Sequence, residues 1–127
     1  MRTTVISAAF AGIFGLIVSL SAVAADPSVL RVIVVQTADV PGYVHEVETL
    51  QALIKKAGLP ATVRVWRATY AGADTGSIVA SIEVPNLETI AKLNDAFRTN
   101  PEMAAEMKKI NAMRKIVSDS LFDLLSH

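Results

Sequence analysis

Residues 62–92 read TVRVWRATYAGADTGSIVASIEVPNLETIAK, and this stretch decides the fold of the chain. Apolar and polar positions alternate over residues 62–70 and again over residues 77–84, which is the pattern of two half-buried strands. Residues 71–76 between them include glycine, aspartate and threonine, which favour a turn. The stretch therefore predicts a β-hairpin.

The segment before the hairpin predicts a strand and then a helix. Residues 30–36 (LRVIVVQ) form a β-branched apolar run without alternation, which is typical of a central strand that is covered on both sides. Asp39 is placed to cap a helix that Pro41 opens, and apolar residues then recur at helical spacing until Gly58. We expect a helix of about four to five turns here.

The segment after the hairpin predicts two helices and one element with two interpretations. Asn86 is placed to cap a helix, and Asn100 and Pro101 interrupt that helix and start another. Residues 115–125 (KIVSDSLFDLL) have helical spacing when counted from Ile110, but they alternate as a strand from Ile116 through Ser118, Ser120 and Phe122. We favour the strand.

The predicted elements follow one another in the order β-α-β-β-α-β, which is a split βαβ arrangement. This order is typical of an α+β, ferredoxin-like fold, in which a four-stranded antiparallel sheet carries its helices on one face. The sequence has no internal repeat and no linker, so we expect one domain over residues 26–127.

Residues 1–25 have the pattern of a secretory signal peptide. A short basic start (MRTT) precedes an almost wholly apolar segment, and small residues follow up to Ala25. Cleavage after Ala24 and cleavage after Ala25 both fit, and an uncleaved anchor is the alternative. Because a spanning helix needs about 20 apolar residues, we expect cleavage, a periplasmic or secreted location, and no membrane contact of the mature chain.

The composition argues against several classes of function. The 127 residues include 12 Lys+Arg against 12 Asp+Glu, which is untypical of proteins that bind nucleic acid. Cysteine is absent, so disulfides, thiolate nucleophiles and Cys-ligated metals are excluded. The segment HEVET, which begins at His45, lacks the second histidine of a zinc-binding HExxH helix. We therefore expect no metal, no cofactor and no nucleic-acid partner.

One face of the predicted sheet is expected to be apolar and uncovered. If the helices cover the face of Val63 and Val65, the opposite face presents Trp66, Val79 and half of the first strand. Monomers rarely expose so large an apolar area, so we predict a homodimer packed sheet to sheet, with a ligand cavity where the packing is incomplete. The residues predicted to line that cavity are Arg64, Trp66, Val79, Ser81 and Glu83.

Several of these side chains have both a functional and a structural interpretation. Trp66 is suited to stack on an aromatic ligand, and Arg64 is suited to pair with a ligand carboxylate. The alternative is dimer packing with a cross-strand ion pair between Arg64 and Glu83. His45 and Glu83 are the candidates for proton transfer, and the alternative for His45 is a solvated side chain.

The chain resembles the dimeric α/β-barrel superfamily almost end to end, a ferredoxin-like group that includes monooxygenases of the antibiotic-biosynthesis type. The resemblance is carried by RVIVVQ (31–36), by residues 64–97, by NPEMAAEMKKI (100–110) and by KIVSDSLFDLL (115–125). It implies the fold and the dimer predicted above. Cofactor-free monooxygenases of this group use an Asn/Trp/His-type set of residues. Trp66 matches that set in residue type only, because the first strand has no Asn.

The sequence therefore predicts an exported homodimer whose cavity binds a small, partly aromatic molecule. One alternative is a cofactor-independent monooxygenase or isomerase that acts on such a molecule, with His45 or Glu83 moving protons and Trp66 placing the substrate. A structural dimer without a ligand is the third interpretation.

Overall fold

The computed structural model describes residues 27–126, so the predicted signal peptide lies outside the described residues. The elements, in chain order, are β1 (Val29–Gln36), α1 (Val40–Lys56), β2 (Thr62–Arg67), a 3-10 turn (Gly72–Asp74), β3 (Ile78–Val84), α2 (Leu87–Thr99), α3 (Pro101–Met113) and β4 (Lys115–Asp123). Within residues 27–126, no helix combines the length and the apolar character that crossing a membrane requires.

The four strands form one antiparallel sheet in the spatial order β2-β3-β1-β4. The three helices pack on one face of this sheet, and the opposite face, called the open face below, has no helix over it. The predicted α+β, ferredoxin-like fold is therefore confirmed, with the second helical segment divided into α2 and α3.

The predicted helix boundaries are confirmed by their caps. The side chain of Asp39 accepts a hydrogen bond from the backbone N–H of Gly42 (3.0 Å), and Asn86 and Asn100 cap α2 and α3 in the same way. These bonds satisfy backbone donors that have no partner inside the helix. Gly58, at a φ of 73°, ends the first helical segment, because a residue with a Cβ is strained in that conformation.

The hairpin is confirmed, but its strands are shorter than predicted. β2 ends at Arg67 rather than at residue 70, and β3 begins at Ile78. The chain between them turns through residues of positive φ, Gly72 (57°) and Gly76 (89°), and this tight loop ends the ladder. Tyr70, which alternation placed on the strand, lies in the loop and is 99% exposed.

Residues 115–123 form the predicted strand, but a β-bulge changes which residues share a face. Ser118 pairs with Val34, whereas the next partner of β1, Val35, pairs with Ile116, so Val117 has no partner in the ladder. Ile116 therefore faces the helices. Strict alternation predicts that Ile116 shares a face with Ser118. This prediction is wrong at Ile116, because the bulge adds one residue, Val117, between the two.

The hydrophobic core lies between the helices and the sheet, on the face that the sequence predicted. The core-facing residues of β3, namely Ile78, Ala80, Ile82 and Val84, are between 1 and 6% exposed. They pack against buried residues of all three helices, the largest of which are Tyr43, Ile54, Leu93, Met103 and Ile110. None of the nine residues of β4 is buried, because the helices cover mainly the other three strands.

Candidate functional site

A cavity of about 280 Å³ lies between the helices and the sheet and is partly open to solvent. Strands β1 to β4 supply its floor, and the three helices supply its walls. Ten of its lining residues are apolar, and five carry polar groups. The five are Arg31, Tyr43, Asn94, Asn111 and Arg114.

Arg31 is fixed at one side of this cavity by a network that uses all of its guanidinium nitrogens. Its Nε and Nη2 donate to the two carboxylate oxygens of Asp119 (2.9 and 2.6 Å), and its Nη1 donates to Oδ1 of Asn94 (3.3 Å). Arg31 and Asp119 are diagonal neighbours on β1 and β4, because the register partner of Asp119 is Ile33, which follows Arg31 by two residues on the same face of β1. The hydrogen bond with Arg31 lowers the pKa of Asp119, so this carboxylate is charged at neutral pH.

Arg114 is held beside the same cavity, directly after the end of α3. Its Nη1 donates to the hydroxyl oxygen of Tyr43, and its Nη2 donates to Oδ1 of Asn111, both at 3.0 Å. Tyr43 is fully buried on α1, so it anchors the guanidinium to the core. The Nε of Arg114 is buried and has no hydrogen-bond acceptor. A buried donor without an acceptor is uncommon, because its desolvation is not compensated.

The five predicted ligand residues lie together on the open face. Register pairing places Arg64 beside Ser81 and Trp66 beside Val79, with Glu83 at the next position of β3 on that face. Trp66 Nε1 donates to Ser81 Oγ (2.7 Å), and Arg64 Nε lies 3.0 Å from Glu83 Oε2. The cross-strand ion pair is therefore confirmed. None of the five lines the internal cavity, and their role in ligand binding stays a prediction.

The open face carries two aromatic side chains, one on each edge strand. Trp66 on β2 is 50% exposed and Phe122 on β4 is 54% exposed. The other side chains of this face that the register places near them are Leu30, Val32 and Val34 on β1, Val79 and Ser81 on β3, and Ser118 and Ser120 on β4. Glu83 lines two shallow depressions at the edge of this face, of about 260 and 160 Å³.

His45 is exposed on α1 and does not line the cavity. A carboxyl group is buried near His45. Glu106 on α3 is 4% exposed, and its Oε1 has no hydrogen-bond partner. Burial, and then the neighbouring Glu46, raise the pKa of Glu106 against the opposing charges of Lys109 and His45. Across residues 27–126, no three His, Cys, Asp or Glu side chains are grouped so that they could hold a metal ion.

Sequence reasoning missed the polar cluster of the cavity, although one signal was present. Arg31 shares strand parity with Ile33 and Val35, which are core residues, so an arginine stands at a core-facing position. A charged residue at such a position needs a partner or a cavity. The contributions of Asn94 and Arg114 had no comparable signal, because they depend on how the helices pack.

Three comparisons place the chain by its fold alone. No family model and no curated protein matches it. Among solved structures, it is similar to a conserved protein of unknown function from Bacteroides thetaiotaomicron, described as a possible oxidoreductase, with 13% identity and a TM-score of 0.54 over 77% of this chain and 99% of that one. It is also similar to a dimeric protein of unknown function and ferredoxin-like fold from Bacteroides fragilis, with 16% identity and a TM-score of 0.48 over 76% and 95%.

Proposed function

We propose that this chain is an exported homodimeric binding protein, which holds a small, partly aromatic molecule in the cavity between its helices and its sheet. The observation that carries the proposal is the lining of that cavity. Ten apolar residues surround a space of about 280 Å³, and a cluster of polar groups lies at one side. This is the usual construction of a small-molecule site, in which apolar walls supply affinity and a few polar groups fix orientation.

The apolar wall suits an aromatic body in particular. Phe97 and Met107, both partly exposed, line the cavity with an aromatic ring and a polarizable thioether. Aromatic rings pack favourably against other rings and against thioether sulfur. The volume, which is near the lower limit of about 300 Å³ for ligand pockets, favours a molecule of one or two rings.

Binding without turnover is the activity that this lining supports. The cavity-lining residues include no histidine and no carboxylate, so proton transfer to a bound molecule has no obvious donor or acceptor there. The two candidates for proton transfer lie elsewhere, with His45 exposed on α1 and Glu83 on the open face.

The homodimer is proposed from the chemistry of the open face. Its charged pair, Arg64 with Glu83, is already neutralised within one chain, and the indole N–H of Trp66 already has an acceptor. A second copy would therefore cover the face without leaving these groups unpaired. Trp66 and Phe122, each about half exposed on this face, supply apolar area that a two-fold related copy would bury.

Nuclear magnetic resonance of methyl-labelled protein tests the site directly. We would titrate the mature chain with aromatic amides from benzamide to 2-naphthamide and with the corresponding acids. We expect shifts of the methyl groups of Val47, Leu50 and Ile110, which line the cavity, with little change at the indole of Trp66, the only tryptophan of the chain. Light scattering after size exclusion is expected to give the mass of two chains.

A cavity-filling variant with a matched control completes the test. Ala80→Phe fills the cavity from its floor and is expected to abolish the methyl shifts, whereas Ala91→Phe on the exposed side of α2 is expected to preserve them. Shifts confined to Trp66 would place the ligand between two open faces instead. No shifts with any member of the panel would overturn the proposed function.

A further inference from the structure

The polar cluster of the cavity presents hydrogen-bond donors and almost no free acceptors. A guanidinium only donates, so Asn94 and Asn111 must turn their oxygens to Arg31 and Arg114, as the distances show. Their Nδ2 groups remain as donors. Tyr43 accepts from Arg114, and because its side chain is fully buried, its hydroxyl holds Arg114 and does not contact the open space.

The charges of the cluster are also unequal. Two guanidinium groups line the cavity, but the carboxylate of Asp119 is bound by Arg31 through both of its oxygens. No carboxylate of the described chain lies within ion-pair distance of Arg114, although Arg114, after Arg31, also lowers the pKa of Asp119. The cluster therefore has one positive charge in excess, beside an apolar space where electrostatic attraction is stronger than in water.

Arg114 also has hydrogen-bond donors that the chain does not use. Its Nη1 and Nη2 each carry two N–H groups, of which Tyr43 and Asn111 accept one each, whereas its Nε is fully buried and out of a ligand's reach. Loss of solvent around the unused Nη donors is unfavourable unless an acceptor replaces the water. An ionised ligand oxygen would supply that acceptor, and would form a charge-assisted hydrogen bond of the stronger kind.

We propose that the cavity selects monoanionic ligands, and specifically aromatic carboxylates whose carboxylate binds to Arg114 while the ring occupies the apolar part. This inference rests on the proposed function and adds the charge of the ligand to it. Asn111 and Asn94, through their free amide donors, are placed to assist at the second carboxylate oxygen.

The test compares each aromatic acid with its own amide, for example 2-naphthoate with 2-naphthamide, by calorimetry and by methyl shifts at pH 7. The two molecules have nearly the same shape, and only the acid is charged. We expect the acid to bind with a dissociation constant about tenfold or more lower than that of the amide. Equal affinities would overturn the proposed selectivity and would leave the proposed binding function intact. Absence of binding by both would overturn the binding function itself.

Substitution of Arg114 assigns the selectivity to a residue. Arg114→Gln is expected to remove the preference for the acid while the amide still binds, and Arg114→Lys, which keeps the charge but lacks the planar guanidinium, is expected to retain part of the preference. Thermal melting shows whether either variant is folded. If the preference survives undiminished in both, Arg114 is not the anion site.

Two other arginines serve as controls. Arg98, on α2, pairs with Asp95 and is largely exposed, so Arg98→Gln is expected to leave both affinities unchanged. Arg64, on the open face, is the rival anion site. If Arg64→Gln removes the preference for the acid and Arg114→Gln does not, the carboxylate binds between the open faces and the proposal is wrong.

Discussion

The two faces of the sheet are built from the same four strands, but only one of them is buried within a single chain. On β3, the helix-facing residues are almost fully buried, whereas two of the three residues that alternate with them, Val79 and Glu83, are only half-buried, and the third, Ser81, is buried beside the indole of Trp66. β4 is exposed along its whole length on both faces. The comparison shows that alternation in sequence identifies two apolar faces, while the helices of one chain suffice to cover only one of them.

The faces also differ in whether their polar groups have hydrogen-bond or ion-pair partners. On the open face, the indole of Trp66 and the Arg64–Glu83 pair satisfy one another within the chain. On the helix side, Arg114 and Glu106 each keep a buried polar atom without a partner. Unsatisfied groups therefore lie where the chain encloses a cavity and its helices pack, and satisfied groups lie where a second copy is proposed to bind.

The largest expected effect comes from a charge on the open face. Val79→Asp places an unpaired carboxylate at the proposed dimer interface, and two-fold symmetry places it there twice. We expect the dissociation constant of the dimer to rise about a thousandfold or more, equivalent to about 4 kcal/mol. Sedimentation equilibrium measures this constant.

Ala105→Asp is the control for that experiment, because Ala105 is exposed on α3 and belongs to neither face of the sheet. It is expected to leave the mass of the assembly unchanged. A wild-type chain that sediments as a monomer, or a Val79→Asp chain that remains dimeric, would contradict the proposed use of the open face.

The next effect compares two valines of one strand. Val84 is 1% exposed beneath the helices, and Val84→Ala is expected to lower the free energy of unfolding by about 2 kcal/mol, through lost burial and the cavity that remains. Val79→Ala is expected to act mainly through the dimer, so its effect depends on protein concentration. Urea denaturation at two protein concentrations distinguishes the two variants, because only the stability of Val79→Ala is expected to change relative to the wild type with concentration. If both variants depend on concentration in the same way, the two faces do not differ in their part in the dimer.

A smaller effect is expected within the helix layer. Glu106→Gln removes a buried carboxylate whose pKa is raised, so the variant is expected to be more stable than the wild type by about 1 kcal/mol at pH 7. Below the ordinary pKa of 4.5, Glu106 is protonated in both the folded and the unfolded chain, so the difference is expected to vanish there. Melting curves at pH 7 and pH 4 test this. Glu48→Gln, at an exposed position on α1, is the control and is expected to change little at either pH.

The smallest effect concerns the pair beside the cavity. Asp119→Asn is expected to lower the free energy of unfolding by less than about 1 kcal/mol at pH 7, because both side chains of the Arg31–Asp119 pair are partly exposed. The pair lowers the pKa of Asp119, so its contribution is present above the ordinary value of 3.8 and is lost as the pH falls below it. Asp123→Asn, on the same strand and without an ion pair, is expected to be neutral. A loss that persists unchanged at acid pH would show that the carboxylate charge is not its cause.

The order of elements and the assignment of the sheet faces could be predicted from the sequence, because they depend on local signals. Alternation in residues 77–84 and the caps at Asp39, Asn86 and Asn100 each act within a few residues. The bulge at Val117 could not be predicted in this way. It is a property of the pairing between β1 and β4, and a single extra residue reverses the face of Ile116.

The cavity depends on contacts that sequence patterns do not contain. Arg31 and Asp119 are 88 positions apart, and Arg114 and Tyr43 are 71 positions apart. The pairing of β1 with β4 brings the first pair together, and the packing of α1 against α3 brings the second pair together. Val63 was predicted correctly to face the helices, but nothing in its neighbourhood indicates that the core is incomplete beside it.

Because β4 is exposed, the isolated chain is expected to aggregate when the protein concentration is high. An edge strand with unpaired backbone groups and with Ile116, Leu121 and Phe122 about half exposed is a template for indiscriminate strand pairing. If a second copy covers this strand first, the proposed dimer is expected to form. If strands of many chains pair with it instead, the protein is expected to aggregate. Phe122 of this strand also lies on the open face, so a substitution on β4 that limits aggregation is expected to alter the proposed dimer as well.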